Sequence, residues 1–193
     1  MFDGMLYSQR QVSTAKVLEC YGVQRVGYAF ATAHRAENTE NLEQLQYLVA
    51  TIEAVADICG TVILPLHPRT RHALASYGLS FSSQVRQIPP VPYREMIPLL
   101  ENARLVLTDS GGVQKEAFFL KVACITMREE TEWIETVSFS ANRLVGISPA
   151  KAAIAAGALI SGDWKPDFSS RPYGDGSAAN AIVAILAESW YRQ

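Results

Sequence analysis

The sequence has few cysteines, no excess of basic residues and no long apolar run. Its three cysteines, Cys20, Cys59 and Cys124, are odd in number and widely separated, which excludes a disulfide framework and a zinc motif. We expect them to be buried thiols in a reducing compartment. No window approaches the roughly 18 consecutive apolar residues of a membrane span, and the first residues form no apolar run behind a positive charge. The sequence therefore predicts a cytoplasmic protein without a membrane partner.

Charge of neither sign dominates the chain. Its 193 residues include 17 lysines and arginines against 19 aspartates and glutamates, for a formal net charge of −2. A chain without a broad positive field does not attract nucleic acid, so any anion site must be local. Apolar residues make up 49% of the sequence, which is enough for one domain with a packed core and excludes disorder.

Short apolar runs alternate with helical patterns along the sequence. The runs lack apolar/polar alternation, which is typical of strands covered on both faces. We predict strands at 26–33, 61–66, 85–89, 105–108, 122–127 and 144–147. We predict helices at 40–59, capped by Asn38 and Thr39, and at 69–77, 94–101, 113–120, 131–139, 149–160 and 178–190. This order predicts a Rossmann-like, doubly wound parallel α/β sheet that binds ligands at the carboxyl ends of its strands.

The strongest site signal is Ser110-Gly111-Gly112, between the fourth strand and the next helix. Such a turn presents free backbone amides at the positive end of the helix dipole, where a phosphate can approach. Glu116 follows one helical turn later, where its carboxylate can accept bonds from both hydroxyls of a ribose. The alternative is that the glycines only permit a tight turn and that Glu116 is solvated. Neither the dinucleotide fingerprint nor the P-loop ending is present, which disfavours NAD and leaves a sugar nucleotide open.

Histidines and charged residues follow the first two strands. His34 can donate to an oxyanion or exchange a proton near neutral pH, and Arg35 can bind phosphate through two nitrogens. Glu37 completes this first group, while His67 and Arg69 occupy the equivalent position after the second strand. The alternative for each residue is a solvated or locally bonded loop position.

Two further segments lie at the same predicted edge of the sheet. The loop from Pro90 to Tyr93 is rigid and poor in donors, so it can form a wall against a flat base, or be a simple turn. Arg128, Thr131 and Glu132 follow the fifth strand. They suit phosphate or ligand contacts, or ordinary capping of a helix that opens at Thr131.

In this order, the motifs resemble the C-terminal domain of the non-hydrolysing UDP-N-acetylglucosamine 2-epimerases. The resemblance covers residues 27–186 and is carried by 32–38, 65–69, 108–117, 128, 131–132 and 172–176. It implies the C-terminal half of a two-domain GT-B fold, with UDP bound between the domains. Residues 1–26 would then be an interdomain connection with one helix, and 27–193 the nucleotide-sugar-binding domain. The N-terminal catalytic half would be absent from this chain.

The resemblance also implies roles for individual residues. The implied UDP-binding residues are Arg35, Pro90, Tyr93, Ser110, Gly111, Gly112, Glu116 and Arg128. Within this set, the glycine turn would bind the diphosphate, Glu116 the ribose, and the loop from Pro90 to Tyr93 the uracil. His34 would be catalytic, beside the leaving UDP. Glu37, Thr131 and Glu132 would lie on the sugar or cleft side, and His67 near a second, regulatory UDP-sugar site.

The family reaction converts UDP-N-acetylglucosamine to its manno epimer by eliminating UDP to a glycal and adding it back. It needs no metal or nicotinamide cofactor. The carboxylates that move the C2 proton come from the N-terminal domain, so we expect this chain alone to be inactive and the complete protein to be a homodimer. The T-E-W at 131–133 replaces the T-E-R of many members and looks more like relatives acting on UDP-diacetamido-uronic acids. A GT-B glycosyltransferase domain and a non-catalytic nucleotide-sugar sensor remain alternatives.

Overall fold

The computed structural model describes residues 1–190, with side chains as far as residue 188. Its centre is a six-stranded sheet whose neighbouring strands are all parallel. The strands are β1 (Ala29–Thr32), β2 (Val62–Pro65), β3 (Val85–Ile88), β4 (Leu105–Thr108), β5 (Cys124–Thr126) and β6 (Asn142–Leu144). Their spatial order is β3-β2-β1-β4-β5-β6, the order of a Rossmann sheet. The predicted fold class is therefore confirmed.

Helices cover both faces of the sheet and enclose two hydrophobic layers. They are α1 (Phe2–Gln9), α2 (Thr14–Cys20), α3 (Leu42–Cys59), α4 (Pro68–Tyr77), α5 (Tyr93–Glu101), α6 (Gly111–Phe119), α7 (Ile134–Ser138), α8 (Pro149–Ser161) and α9 (Ala178–Trp190). In β1, Ala29 and Ala31 face the layer closed by α3 and α8, while Phe30 faces the layer of α1, α2, α5 and α6. This alternation follows the two-residue period of a strand. Across residues 1–190, no helix is long and apolar enough to cross a membrane.

Five of the six predicted strands differ from the structure by one or more residues, and two of them differ by three residues at one end. β1 begins at Ala29, because Val26 is exposed and has a left-handed backbone with φ of 59°. β6 ends at Leu144, two residues before Gly146, whose φ of 61° turns the chain away from the sheet. The apolar run therefore overestimated the length of β1 and placed β6 too late in the chain, since backbone dihedrals and not hydropathy decide where a strand begins and ends.

The start of α3 differs from the prediction. Asn41 caps the helix by accepting a hydrogen bond from the Gln44 amide at 2.8 Å. Asn38 and Thr39, the predicted caps, belong to the 3₁₀ turn that precedes it (Ala36–Asn38 and the residue after). That prediction was wrong because several polar residues in a row can each cap a helix, and only the backbone geometry selects one.

The predicted helix at 131–139 is also shorter in the structure. α7 begins at Ile134, because the Thr131 hydroxyl accepts a bond from the Trp133 amide and holds residues 131–133 in a turn. Thr131 and Glu132 therefore precede the helix and do not open it.

The amino-terminal segment contains two helices where the sequence predicts one. Met5 of α1 and Val17 of α2 are buried in the same layer as Ile97 of α5. Cys20, at the end of α2, is exposed, so the prediction of a buried thiol was wrong there. Cys59 and Cys124 are buried as predicted, and burial raises the pKa of their thiols to about 11 and about 12.

Candidate nucleotide-binding site

The site lies where the strand order reverses, between β1 and β4. The crossovers from these two strands run in opposite directions, which leaves a crevice beyond their carboxyl ends. At that edge the hydroxyls of Thr32 and Thr108 lie 2.6 Å apart and join the two strand ends. The two groups of candidate residues, after β1 and after β4, therefore meet at one place.

Asp109 ties these two groups together. It is fully buried directly after β4, and its Oδ2 accepts three hydrogen bonds from the loop after β1. The donors are the amides of His34 at 3.0 Å and Arg35 at 2.9 Å, and the Asn38 side chain at 3.0 Å. Three bonds to a buried carboxylate fix the backbone of that loop. Sequence reasoning gave Asp109 no role, although an acid directly after a buried strand at this edge was a usable signal.

The imidazole of His34 lies against the same carboxylate. Its Nδ1 is 3.3 Å from Asp109 Oδ1, and the His34 side chain is 48% exposed. The separation is within ion-pair range, but the angles do not make a hydrogen bond, so Oδ1 has no bonded partner. Because Nδ1 faces the carboxylate, Nε2 is the nitrogen left for a ligand.

His67 stands near His34 but is engaged locally. The two imidazole rings are 6.5 Å apart between centroids. His67 is the N-cap of α4, where its Nδ1 accepts a bond from the Arg69 amide at 3.2 Å. His72, within α4, is exposed.

The Ser110-Gly111-Gly112 turn opens α6. Ser110 is the N-cap residue, but its side chain makes no capping bond, which leaves amides of the first turn available. Neither glycine is among the described residues with positive φ. A Cβ would meet nothing closer than 3.5 Å at Gly111 and 3.7 Å at Gly112, an ordinary contact distance. Neither the turn nor the packing therefore requires glycine here, which removes the main support for the tight-turn alternative.

Glu116 is 5% exposed, so the alternative of a solvated helix residue was wrong. Burial raises the pKa of its carboxyl, and a hydrogen bond from the Tyr93 hydroxyl opposes part of that rise. The pKa of Tyr93 is raised in turn, by burial first and then by Glu116. The structure thus brings Tyr93, which ends the loop from Pro90, next to Glu116 one turn beyond the glycines.

Two arginines near the turn are each paired with a carboxylate. Arg35 Nη1 lies 2.6 Å from Glu37 Oε1. Arg128 donates to both carboxylate oxygens of Glu132, at 2.9 and 3.0 Å, and this bonding lowers the pKa of Glu132 to about 2. Arg35, Glu37 and Arg128 line one cleft of 730 Å³. Three residues of the predicted site thus line one cleft, and Glu132 lies beside it through its bonds to Arg128.

Thr131 points into the protein. Its hydroxyl donates to Gln114 Oε1 at 2.6 Å, and Gln114 is fully buried. Within the described side chains, three buried polar atoms lack a hydrogen bond: Asp109 Oδ1, Gln114 Nε2 and Trp133 Nε1. Asp109 directly precedes the N-cap of α6, Gln114 lies near the start of that helix, and Trp133 lies against Gly111. Sequence reasoning missed Gln114 and Trp133, because nothing local marks them.

A parallel sheet in this order, with a bare amide turn at its switch point, defines a Rossmann-like α/β domain. The model of the UDP-N-acetylglucosamine 2-epimerase family matches residues 1–187. The chain therefore belongs to that family.

Relatives and solved structures agree with this assignment. The chain is 45% identical over 162 residues to the UDP-2,3-diacetamido-2,3-dideoxy-D-glucuronate 2-epimerase of Pseudomonas aeruginosa, covering 84% of this chain and 45% of the relative. It is 40% identical over 171 residues to the UDP-N-acetylglucosamine 2-epimerase of Methanocaldococcus jannaschii, covering 85% and 45%. The crystal structure of the M. jannaschii enzyme with UDP-GlcNAc and UDP has a TM-score of 0.83 at 35% identity, covering 97% of this chain and 52% of that one. The chain spans about half the length of the curated relatives it matches.

Proposed function

We propose that this chain is the UDP-binding domain of a non-hydrolysing UDP-sugar 2-epimerase. The proposal depends above all on the glycine pair, which neither backbone geometry nor packing requires. Amides at a helix start that carry no side chains are the natural site for a diphosphate. The similar M. jannaschii structure contains UDP-GlcNAc and UDP, which supports the same ligand class here.

Each part of UDP has a partner in this proposal. The diphosphate binds the amides of Gly111 and Gly112 and the hydroxyl of Ser110 at the positive end of α6, because the Ser110 amide already donates to Thr108 Oγ1 at 2.9 Å. The buried carboxylate of Glu116 accepts the two ribose hydroxyls, and Tyr93 lies beside it at the end of the loop that faces the uracil. Arg35, which is paired with Glu37, is assigned to the rim of the diphosphate site.

His34 acts on the departing UDP in this proposal. In the elimination, a base in the other half of the complete protein takes the C2 proton, and the electron pair of the C1–O bond leaves with the diphosphate. With its Nδ1 facing Asp109, a protonated His34 donates from Nε2 to the new phosphate oxyanion. Re-addition reverses these steps after the proton has been returned to the other face of C2.

We divide the chain into a connection at 1–26 and a nucleotide-sugar-binding domain at 27–193. The C2 chemistry needs carboxylates that this proposal assigns to the other half of the complete protein, so the chain alone has little or no activity. The homodimer, the cytoplasmic location and the regulatory role of His67 stay predictions. A role of Thr131 toward the sugar has less support, because its hydroxyl is bonded to Gln114.

The sugar is proposed to be either UDP-N-acetylglucosamine or UDP-2,3-diacetamido-glucuronate. The 45% identity to the Pseudomonas aeruginosa enzyme favours the second. The T-E-W sequence at 131–133 agrees with that choice. Epimerisation assays of the complete protein on both UDP-sugars decide between them.

Calorimetric titration of the chain with UDP, UMP and CDP tests the UDP site without needing catalysis. We expect UDP to bind more tightly than UMP, and Glu116→Ala to weaken UDP binding by about 1 to 3 kcal/mol, the range for a lost bond to a charged group. Glu188→Ala on the exposed α9 is the matched control. No binding of UDP, or equal binding by both variants, contradicts the proposal. Sugar transfer to an acceptor without C2 deuterium exchange in the complete protein selects the glycosyltransferase alternative.

A further inference from the structure

Three polar atoms converge on the bare face of Gly111. A Cβ built there lies 3.5 Å from Trp133 Nε1, 3.6 Å from Glu132 Oε2 and 3.7 Å from Arg128 Nη1. Two of these atoms are donors and one is an anionic acceptor. The carboxylate of Glu132 therefore already occupies the space beside the glycine turn.

The Glu132 carboxylate is held in the way that a phosphate is held. Arg128 donates to it through Nη1 and Nη2, the fork geometry that suits carboxylates and phosphates equally. The Glu132 side chain is 59% exposed, whereas Arg128 is 9% exposed. The arginine is therefore the fixed part of the pair, and the carboxylate can move out into solvent.

The indole N–H of Trp133 is a buried donor without a bonded partner. An unsatisfied buried donor is unfavourable and rare in folded proteins, so it indicates a missing acceptor. The ring is fixed by Lys115, whose Nζ lies 4.1 Å from its centroid, and by the edge of Tyr173. The indole nitrogen consequently stays beside Gly111.

We infer that Arg128 and Trp133 Nε1 form the subsite for the distal phosphate of UDP, and that Glu132 occupies this subsite in the free chain. The inference rests on the proposed UDP site and adds to it one binding residue, Trp133, and one internal competitor. A diphosphate carries more negative charge than a carboxylate, so it displaces Glu132 from Arg128. The indole N–H then donates to a phosphate oxygen. Glu132 thus opposes UDP binding and is not a ligand contact.

Titrations of single variants with UDP and UMP separate these roles. Glu132→Gln should tighten UDP binding about three- to tenfold, because it removes the competing charge, and should leave UMP binding unchanged. Trp133→Phe keeps the ring but removes the N–H, and should weaken UDP binding about three- to tenfold without affecting UMP. Glu130→Gln is the matched control, since it removes an exposed charge near Arg128 that accepts no bond from it.

Nuclear magnetic resonance gives a second readout that needs no variant. UDP should shift the indole N–H signal of Trp133 more than UMP does, while that of Trp164, which donates to the Ser140 carbonyl, should not move. Weaker UDP binding by Glu132→Gln, an equal gain in Glu130→Gln, or an unshifted Trp133 signal in UDP-saturated protein would overturn the inference. Failure of the unaltered chain to bind UDP would instead overturn the proposed function.

Discussion

Asp109 bonds to the backbone of His34 and faces the ring of the same residue. One carboxylate oxygen accepts the His34 amide at 3.0 Å, and the other lies 3.3 Å from Nδ1 of the same residue. One fully buried side chain thus sets where the histidine stands and which of its nitrogens remains available. In the proposed mechanism, Asp109 is therefore a positioning residue that acts through His34.

Replacing this carboxylate by its amide tests the positioning role. In Asp109→Asn, the side-chain amide presents an N–H group to Nδ1 of His34. Nδ1 must then accept a hydrogen bond, so a neutral His34 carries its proton on Nε2. We expect turnover of the complete enzyme to fall about 100-fold, the scale of a lost acid–base contribution, while UDP affinity changes little. Steady-state kinetics and nitrogen chemical shifts of the imidazole measure the two effects. The exposed Asp57→Asn is the control, and unchanged turnover with an unchanged tautomer would refute the role.

Replacing a glycine of the turn should weaken UDP binding without lowering the stability of the fold. Gly112→Ala introduces a methyl group whose nearest neighbour is the flexible end of Met1, at 3.7 Å. Because alanine favours helix over glycine, the free energy of unfolding should stay the same or rise by at most about 1 kcal/mol. The methyl group blocks the approach of phosphate, so UDP affinity should fall about tenfold.

Gly157→Ala is the matched control for this substitution. Gly157 lies inside α8, and a Cβ there meets nothing within 4 Å. Thermal unfolding should show a similar or larger gain in stability, while calorimetry should show unchanged UDP affinity. Equal UDP affinity in Gly112→Ala and Gly157→Ala would show that Gly112 plays no part in binding UDP.

The raised pKa of Glu116 predicts a pH dependence of UDP binding. Binding needs the carboxylate form, so affinity should fall as pH falls through a value above the usual 4.5. The free energy of unfolding should rise over the same interval, because the folded chain holds this proton more tightly than the unfolded chain does. The two observables thus move in opposite directions.

Glu116→Gln isolates this effect from the titration of UDP itself. The UDP affinity of this variant should be lower than that of the unaltered chain at every pH. It should also change less between about pH 7 and pH 5, since only the ligand phosphate still titrates. Calorimetry at several pH values and denaturant titrations provide the measurements. If UDP affinity changed with pH in the same way in the unaltered chain and in Glu116→Gln, a role for the Glu116 carboxylate would be contradicted.

The sequence predicted the sheet and the glycine turn because both are local signals. Fully apolar runs separated by helical periods identify buried parallel strands, and Ser-Gly-Gly after such a run places an amide turn at the sheet edge. The order of the strands then fixes which loops share the crevice. These features need no knowledge of side-chain contacts.

The rest of the site depends on contacts between distant residues. Asp109 bonds to residues more than 70 positions earlier, and the Trp133 indole meets Gly111 only through the turn at 131–133. The prediction of Asn38 as a cap was wrong for the same reason, since its side chain donates to Asp109 and Asn41 caps α3. A tertiary contact overrode a local preference.

The unequal environments of the three thiols have a practical consequence. Cys59 and Cys124 are enclosed in the core, whereas Cys20 faces water at the end of α2. A maleimide fluorophore will therefore attach at one place on the unaltered chain, on a helix of the amino-terminal segment. Labelling at that place leaves the proposed UDP-binding residues unmodified, so any fluorescence change on addition of UDP reports a change in the surroundings of α2.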